Sequence, residues 1–148
     1  MANKSIALVS AEEAKNVGRA LLLWLNTCPA ITTTRINFEF LPVSSPGMMM
    51  STIQAAFKTR QYIFGGYEAQ YQFKLVYRVA PDDNDSRLAA DETLNEVGAW
   101  AERSVSSLDI SPAVVRTVRR TSDAALLQVY EDGSRDHQIL MNLTYEVI

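Results

Sequence analysis

One cysteine and one histidine are the scarcest features of this 148-residue chain, and each scarcity narrows its chemistry. Cys28 has no partner, so no intrachain disulfide can form, and a reducing cytoplasm is the expected site of folding. Long apolar runs are missing too: none approaches the roughly 20 residues needed to cross a bilayer. The first fifteen residues, MANKSIALVSAEEAK, hold too short an apolar segment and too many acids for a signal peptide. Excess positive charge is also lacking. A net charge of −3 and a pI near 5.1 argue against wholesale electrostatic binding of nucleic acid, although a local basic strip stays possible. There is no internal repeat and no low-complexity segment. With 47% hydrophobic and 21% charged residues, the composition is that of an ordinary globular protein. A single domain over residues 1–148 is expected, large enough for a core without disulfides or metals.

What is present is dominated by one stretch. Tyr67, Ala69, Tyr71, Phe73, Leu75, Tyr77 and Val79 alternate with Glu68, Gln70, Gln72, Lys74 and Arg78, and Val76 is the one apolar intruder. Period-two alternation rich in aromatic residues predicts a half-buried strand. One face can pack on a core while the other meets water, a partner or a ring-mate. Gly65 and Gly66 precede it and predict a turn or bulge. They lack the lysine and the downstream hydroxyl of a phosphate-binding loop.

Ser10 followed by Glu13 is a capping-box pattern. The helix after it carries Ala14, Val17, Leu21 and Trp24 at helical spacing, widened by Ala20 and Leu25, and Pro29 stops it. Arg35 to Phe40 alternates as a strand. Residues 43–52 read as a loop with an apolar tip, and a short strand is expected over Gln61 to Phe64. The acids Asp82, Asp83 and Asp85 should favour the N-terminus of a helix over residues 86–104. They resemble half of a calcium loop but lack its mid-loop glycine and distal glutamate. That helix should bury Ala90, Leu94, Val97 and Ala101, with Trp100 flanking. Val114 to Arg120 and Ala124 to Tyr130 look extended. Asp132-Gly133 centres a hairpin turn, and Ile139, Met141, Leu143, Tyr145 and Val147 alternate in a last strand. The expected fold class is α+β: an antiparallel or mixed β-sheet with two α-helices packed on one face.

Candidate functional residues divide unevenly. His137 as a general base finds no serine or cysteine beside it in a recognised motif, so a surface position at the start of a strand is expected. Cys28 is expected to be a small packed residue. Arg116, Arg119 and Arg120 form the densest basic cluster. On a regular strand Arg116 and Arg120 share a face and Arg119 points the other way. A solvated, charge-protected edge is the plainer reading, and contact with a neighbouring ring or passing DNA the alternative. Met48, Met49 and Met50 suit docking onto another protein, since methionine adapts to irregular apolar surfaces. Folding of their loop over its own core is the other reading. These six residues are the candidate assembly interface; no catalytic, cofactor-binding or metal-binding residue is assigned.

WLNTCP at 24–29, INFEFLP at 36–42 and KTRQYIFGGYEAQYQFKLVYRVAP at 58–81 together resemble a family of small phage and prophage proteins. NDSRLAADETLNEVGAWAE at 84–102 and RRTSDAALLQVYEDGSRDHQILMNLTYEV at 119–147 extend the likeness over nearly the whole chain. The family occurs in tailed phages of Gram-positive bacteria and is labelled minor capsid protein or tail terminator. The resemblance implies a structural virion protein, not an enzyme, assembled in the host cytoplasm and needing no cofactor. It implies a ring, typically hexameric, on the end of the tail tube, where it stops tube polymerisation and presents the head–tail joining surface. The implied partners are further copies of the chain, the tail tube protein and head-completion proteins, with DNA only as cargo through the lumen and no membrane. A head-completion or minor capsid connector is the neighbouring alternative. A small ligand-binding α+β domain, with Tyr62, Tyr67 and Tyr71 as a pocket wall, is the alternative from another class.

Overall fold

The computed structural model describes residues 8–31, 35–41, 47–53, 56–79 and 84–148. The helix-capping acids Asp82 and Asp83, and the side chain of Asp85, lie outside that description. Along the chain come α1 (Ala11–Leu25), β1 (Ile36–Phe38), β2 (Gly47–Thr52), β3 (Phe57–Gln61) and β4 (Tyr67–Val79). After these follow α2 (Asn84–Arg103), a 3-10 turn (Val105–Ser107), β5 (Val114–Arg120), β6 (Ala125–Val129) and β7 (Arg135–Val147).

The sheet grows outward from its two longest strands. β4 and β7 pair antiparallel without a slip from Tyr67 opposite Val147 to Val79 opposite Arg135. Both alternate apolar and polar side chains, so this register gathers their large apolar residues on one face, with Val76 and Leu140 the exceptions on the other. β2 and β3 share the far edge of β4; β5 and β6 share the far edge of β7. β1 closes one side, parallel to β2. The sheet is therefore mixed, in the order β1-β2-β4-β7-β5, with β3 and β6 alongside.

Both helices lie on the same face, as expected. On that side Ala69, Tyr71, Phe73 and Leu75 of β4 are buried with Ile139, Met141, Leu143 and Tyr145 of β7. Val17, Leu21, Trp24 and Leu25 of α1 close over one half; Ala90, Leu94, Val97 and Ala101 of α2 close over the other. Each such buried side chain beyond alanine contributes roughly 1.5–3 kcal/mol. Two glycines set how closely the helices approach. A Cβ on Gly18 would lie 2.7 Å from the Tyr71 hydroxyl, and one on Gly98 would lie 2.6 Å from Arg120 Cδ. Trp24 and Trp100 join the helices at a centroid distance of 4.8 Å. No helix among the described residues is long and apolar enough to cross a membrane.

Four expectations need correction. Residues 47–52 are not loop but the strand β2, because their backbone pairs with β4 from Gly47 opposite Arg78 to Thr52 opposite Phe73. Residues 43–46 lie outside the described residues. The strand expected over Gln61 to Phe64 lies earlier, at Phe57–Gln61, since Gly65 (φ 84°) and Gly66 (φ 75°) make the β3–β4 turn and draw Tyr62 to Phe64 into it. β1 stops at Phe38, because Glu39 takes the left-handed conformation at φ 51°. His137 is not on the surface but buried in β7, between Tyr77 of β4 and Leu126 of β6.

Candidate assembly interface

The methionines separate by strand parity. Met48 and Met50 point to the helix-covered face and are fully buried in the subunit's own core. Met49 points to the open face, half-buried opposite Val76. A consecutive triplet therefore supplies two core residues and one residue to a different surface.

The arginines are rearranged by a bulge. The β5–β7 register shifts between Val115 and Thr117. Arg116 consequently pairs with Glu146, whose other oxygen accepts a 2.5 Å hydrogen bond from the Tyr62 hydroxyl. The Tyr62 bond and the Arg116 charge together hold the Glu146 carboxyl below its usual range. Arg119 stands opposite Asn142 on the open face and is exposed. Arg120 turns to the helix side, where its side chain meets Glu102 of α2 at 2.9 Å and its backbone N–H donates to the same carboxylate at 3.0 Å. Burial pushes Glu102 upward, but these bonds outweigh it and its carboxyl sits below the ordinary value. Arg116 and Arg119, rather than Arg116 and Arg120, thus stand toward the open face, because one inserted residue reverses the parity. Arg116 and Arg120 are tied into the subunit by ion pairs.

The tyrosines proposed as one pocket wall are also divided. Tyr67 and Tyr145 both donate to the Glu13 carboxylate, Tyr145 at 2.7 Å. Burial, reinforced by that carboxylate, pushes Tyr67 up to about 12 and Tyr145 higher still. Tyr71 is likewise raised to about 12, chiefly by burial. Tyr62 faces Glu146 instead. Tyr71 does line a cleft of about 470 Å³ between α1 and the β1 edge, with Ala14, Gly18, Leu22, Phe38 and Thr52. Lys15 and Arg19 flank it.

His137 is held by α2, its Nδ1 donating to Asp91 Oδ1 at 2.7 Å. Its buried Nε2 has no partner among the described residues, and no serine or cysteine hydroxyl or thiol is hydrogen-bonded there. Cys28 is buried, and that burial raises its thiol above the usual range. Among the described residues, no group of three or more histidine, cysteine, aspartate or glutamate residues is placed to hold a metal.

The surface that sequence reasoning missed is apolar. At the β3–β4 turn Ile63 is 94% exposed and Phe64 fully exposed. Every residue of β6 is exposed. A second bulge, between Leu126 and Gln128, sets Leu126 opposite His137 and Val129 opposite Arg135, both on the helix-covered side but beyond α2. Leu126 and Val129 keep 49% and 47% of their area in solvent there. On the opposite edge of the sheet Phe38 and Phe40 are exposed. The apolar character of these residues was legible; their exposure was not.

No protein-family model matches the chain, and no curated protein matches it. Among solved structures, the chain is similar to one in the virion of a native gene transfer agent particle. The TM-score is 0.58 at 12% identity, covering 93% of this chain and 98% of that one. A second solved chain aligns over 95% of this one at 18% identity with a TM-score of 0.45, too low to carry a fold argument. At such identities the first likeness is one of fold.

Proposed function

We propose that this protein is a structural component of a tailed-phage virion, a tail terminator that forms a ring of six copies on the end of the tail tube. The ring stops tube polymerisation and offers the surface to which head-completion proteins join. The observation that carries this reading is a fold shared, over almost the full length of both chains, with a chain of a virion particle. The surface supports it: apolar side chains stand exposed at the two opposite edges of one sheet and at a hairpin tip. A closed ring requires two different, complementary faces on each subunit.

The reading gives contact with the tube to Ile63 and Phe64, an almost fully exposed apolar pair at the β3–β4 tip. Met49 and Arg119, which face the open side of the sheet, are the expected interface residues with accessible side chains. The test is to add purified protein to growing tail tubes and image their ends. Capped tubes of uniform length support a terminator. Binding to purified heads with no effect on tubes would replace it with a head-completion connector. An Ile63→Ser/Phe64→Ser variant should fold normally yet cap tubes at least tenfold more weakly, in line with loss of a buried apolar anchor.

A further inference from the structure

The two edges of the sheet differ in charge as well as position. Residues 121–134, which contain β6, carry Asp123, Glu131 and Asp132 and no lysine or arginine. Asp123 and Glu131 are exposed on either side of the Leu126–Val129 shelf. The cleft at the other edge is bordered by exposed Lys15 and Arg19 of α1, with exposed Arg35 just before β1, against one carboxylate, Glu39, which accepts from Thr52. With Arg135 opposite Val129, the shelf carries carboxylates in excess over cations, and the cleft, with Glu39 beside Thr52, carries cations in excess over carboxylates.

Both lie in the same layer. Leu126 and Val129 are on the helix-covered side of the sheet, beyond the rim of α2. Phe38, in register with Met50 and Leu75, is on that same side beyond the rim of α1. Two copies placed side by side in one orientation would bring the shelf of one to the cleft of the next.

We propose that the β6 shelf of one copy (Leu126, Val129) docks into the α1–β1 cleft of a second copy (Ala14, Gly18, Leu22, Phe38), with Asp123 and Glu131 meeting Lys15, Arg19 and Arg35. The proposal rests on the ring-forming reading above and names its two faces. The contact is one of side chains, not an extension of the sheet. Asn26 already accepts from the Ile36 N–H at 2.8 Å and donates to the Ile36 carbonyl at 3.1 Å, so that part of the β1 edge cannot add a strand. Such a head-to-tail contact leaves one free shelf and one free cleft at the ends of every open chain, and closure into a ring removes both. Opposite charge at the rim governs register and the rate of encounter more than affinity.

The test uses two variants, each disabled at one edge. Leu126→Glu/Val129→Glu keeps the cleft, and Phe38→Glu keeps the shelf. Oligomeric state is read by light scattering after size exclusion, up to millimolar concentration and again on purified tail tubes. The expected result is that the wild type closes into rings and each variant alone is monomeric. A mixture of the two variants should give a one-to-one dimer, because one intact shelf then meets one intact cleft. The dimer also shows that both variants are folded. Rings from either variant alone, or no dimer in the mixture while the wild type forms rings, would overturn this pairing and leave the ring reading standing. A wild type that stays monomeric even on tail tubes would overturn both.

Discussion

Glu13 in the first turn of α1 accepts a 2.7 Å hydrogen bond from the hydroxyl of Tyr145, near the end of β7. The Ser10–Glu13 pattern reads as a capping box, and half of it forms: Ser10 Oγ accepts from the Glu13 N–H at 3.1 Å. The carboxylate, however, goes to Tyr145 and Tyr67 instead of back to the helix. One acid thereby fastens the first helix to two central strands. Glu13→Ala should destabilise the fold by roughly 1–3 kcal/mol, since it strands the buried Tyr145 hydroxyl and removes the partner of the half-buried Tyr67. Tyr145→Phe should lose less, because donor and need disappear together. Urea denaturation of the two single variants and the double one measures the coupling; additive losses would show that this bond does not fasten the helix.

Gly18 is required by Tyr71. In a helix interior, alanine in place of glycine normally adds about 1 kcal/mol of stability. Here the new Cβ would meet the Tyr71 hydroxyl at 2.7 Å, while the ring carbon behind it is 3.5 Å away. Gly18→Ala should therefore destabilise the wild type by about 1 kcal/mol or more through overpacking. In a Tyr71→Phe background the same substitution should be neutral or stabilising. An equal effect in both backgrounds would rule the hydroxyl out as the obstacle.

The buried tyrosines fix how the fold responds to alkali. An unfolded tyrosine ionises near pH 10, whereas Tyr71 and Tyr67 hold their protons up to about 12. Because the folded value is the higher one, their contribution is complete below pH 10 and is lost as pH rises toward 12. Tyr71, which is almost fully buried, should alone remove about 1.4 kcal/mol per pH unit across that window. Denaturation midpoints between pH 8 and 12, followed with tyrosinate absorbance, check this. Tyr71→Phe should flatten the slope, and an unchanged slope would refute the assignment.

The methionine triplet gives a direct contrast. Met48→Ala or Met50→Ala should destabilise by roughly 2–5 kcal/mol, the range for emptying a packed site. Met49→Ala, on the open face, should change stability by less than about 1 kcal/mol. Deleting all three should unfold the protein, since it removes half of β2. Thermal melts of the three single variants decide the matter; equal, small effects would return the segment to the surface.

Much of the fold was legible because local periodicity carries it. The run Tyr67 to Val79 reads as one strand and is one, and Val114 to Arg120 likewise matches β5. α1 and α2 follow from apolar spacing, with ends displaced by one or two residues. β2 escaped because Pro-Gly followed by three methionines has no period-two signal; Met49 is as apolar as its neighbours although it faces the other way. The candidate interface was less legible. Arg116 and Arg120 were expected to share a face, and a single bulged residue, invisible in composition, separates them.

The sequence by itself determined the strand and helix periodicities, the α+β class and the two turns built on glycine. These depend on residues close together along the chain. Only the tertiary structure decided that His137 is buried against Asp91, that Met48 and Met50 are core, and that Leu126, Val129, Ile63 and Phe64 are left uncovered. Burial is a property of pairs: a leucine is identical in the sequence whether a helix lies over it or not. Which edges end uncovered depends on register, bulges and the reach of two helices across a sheet wider than they can cover.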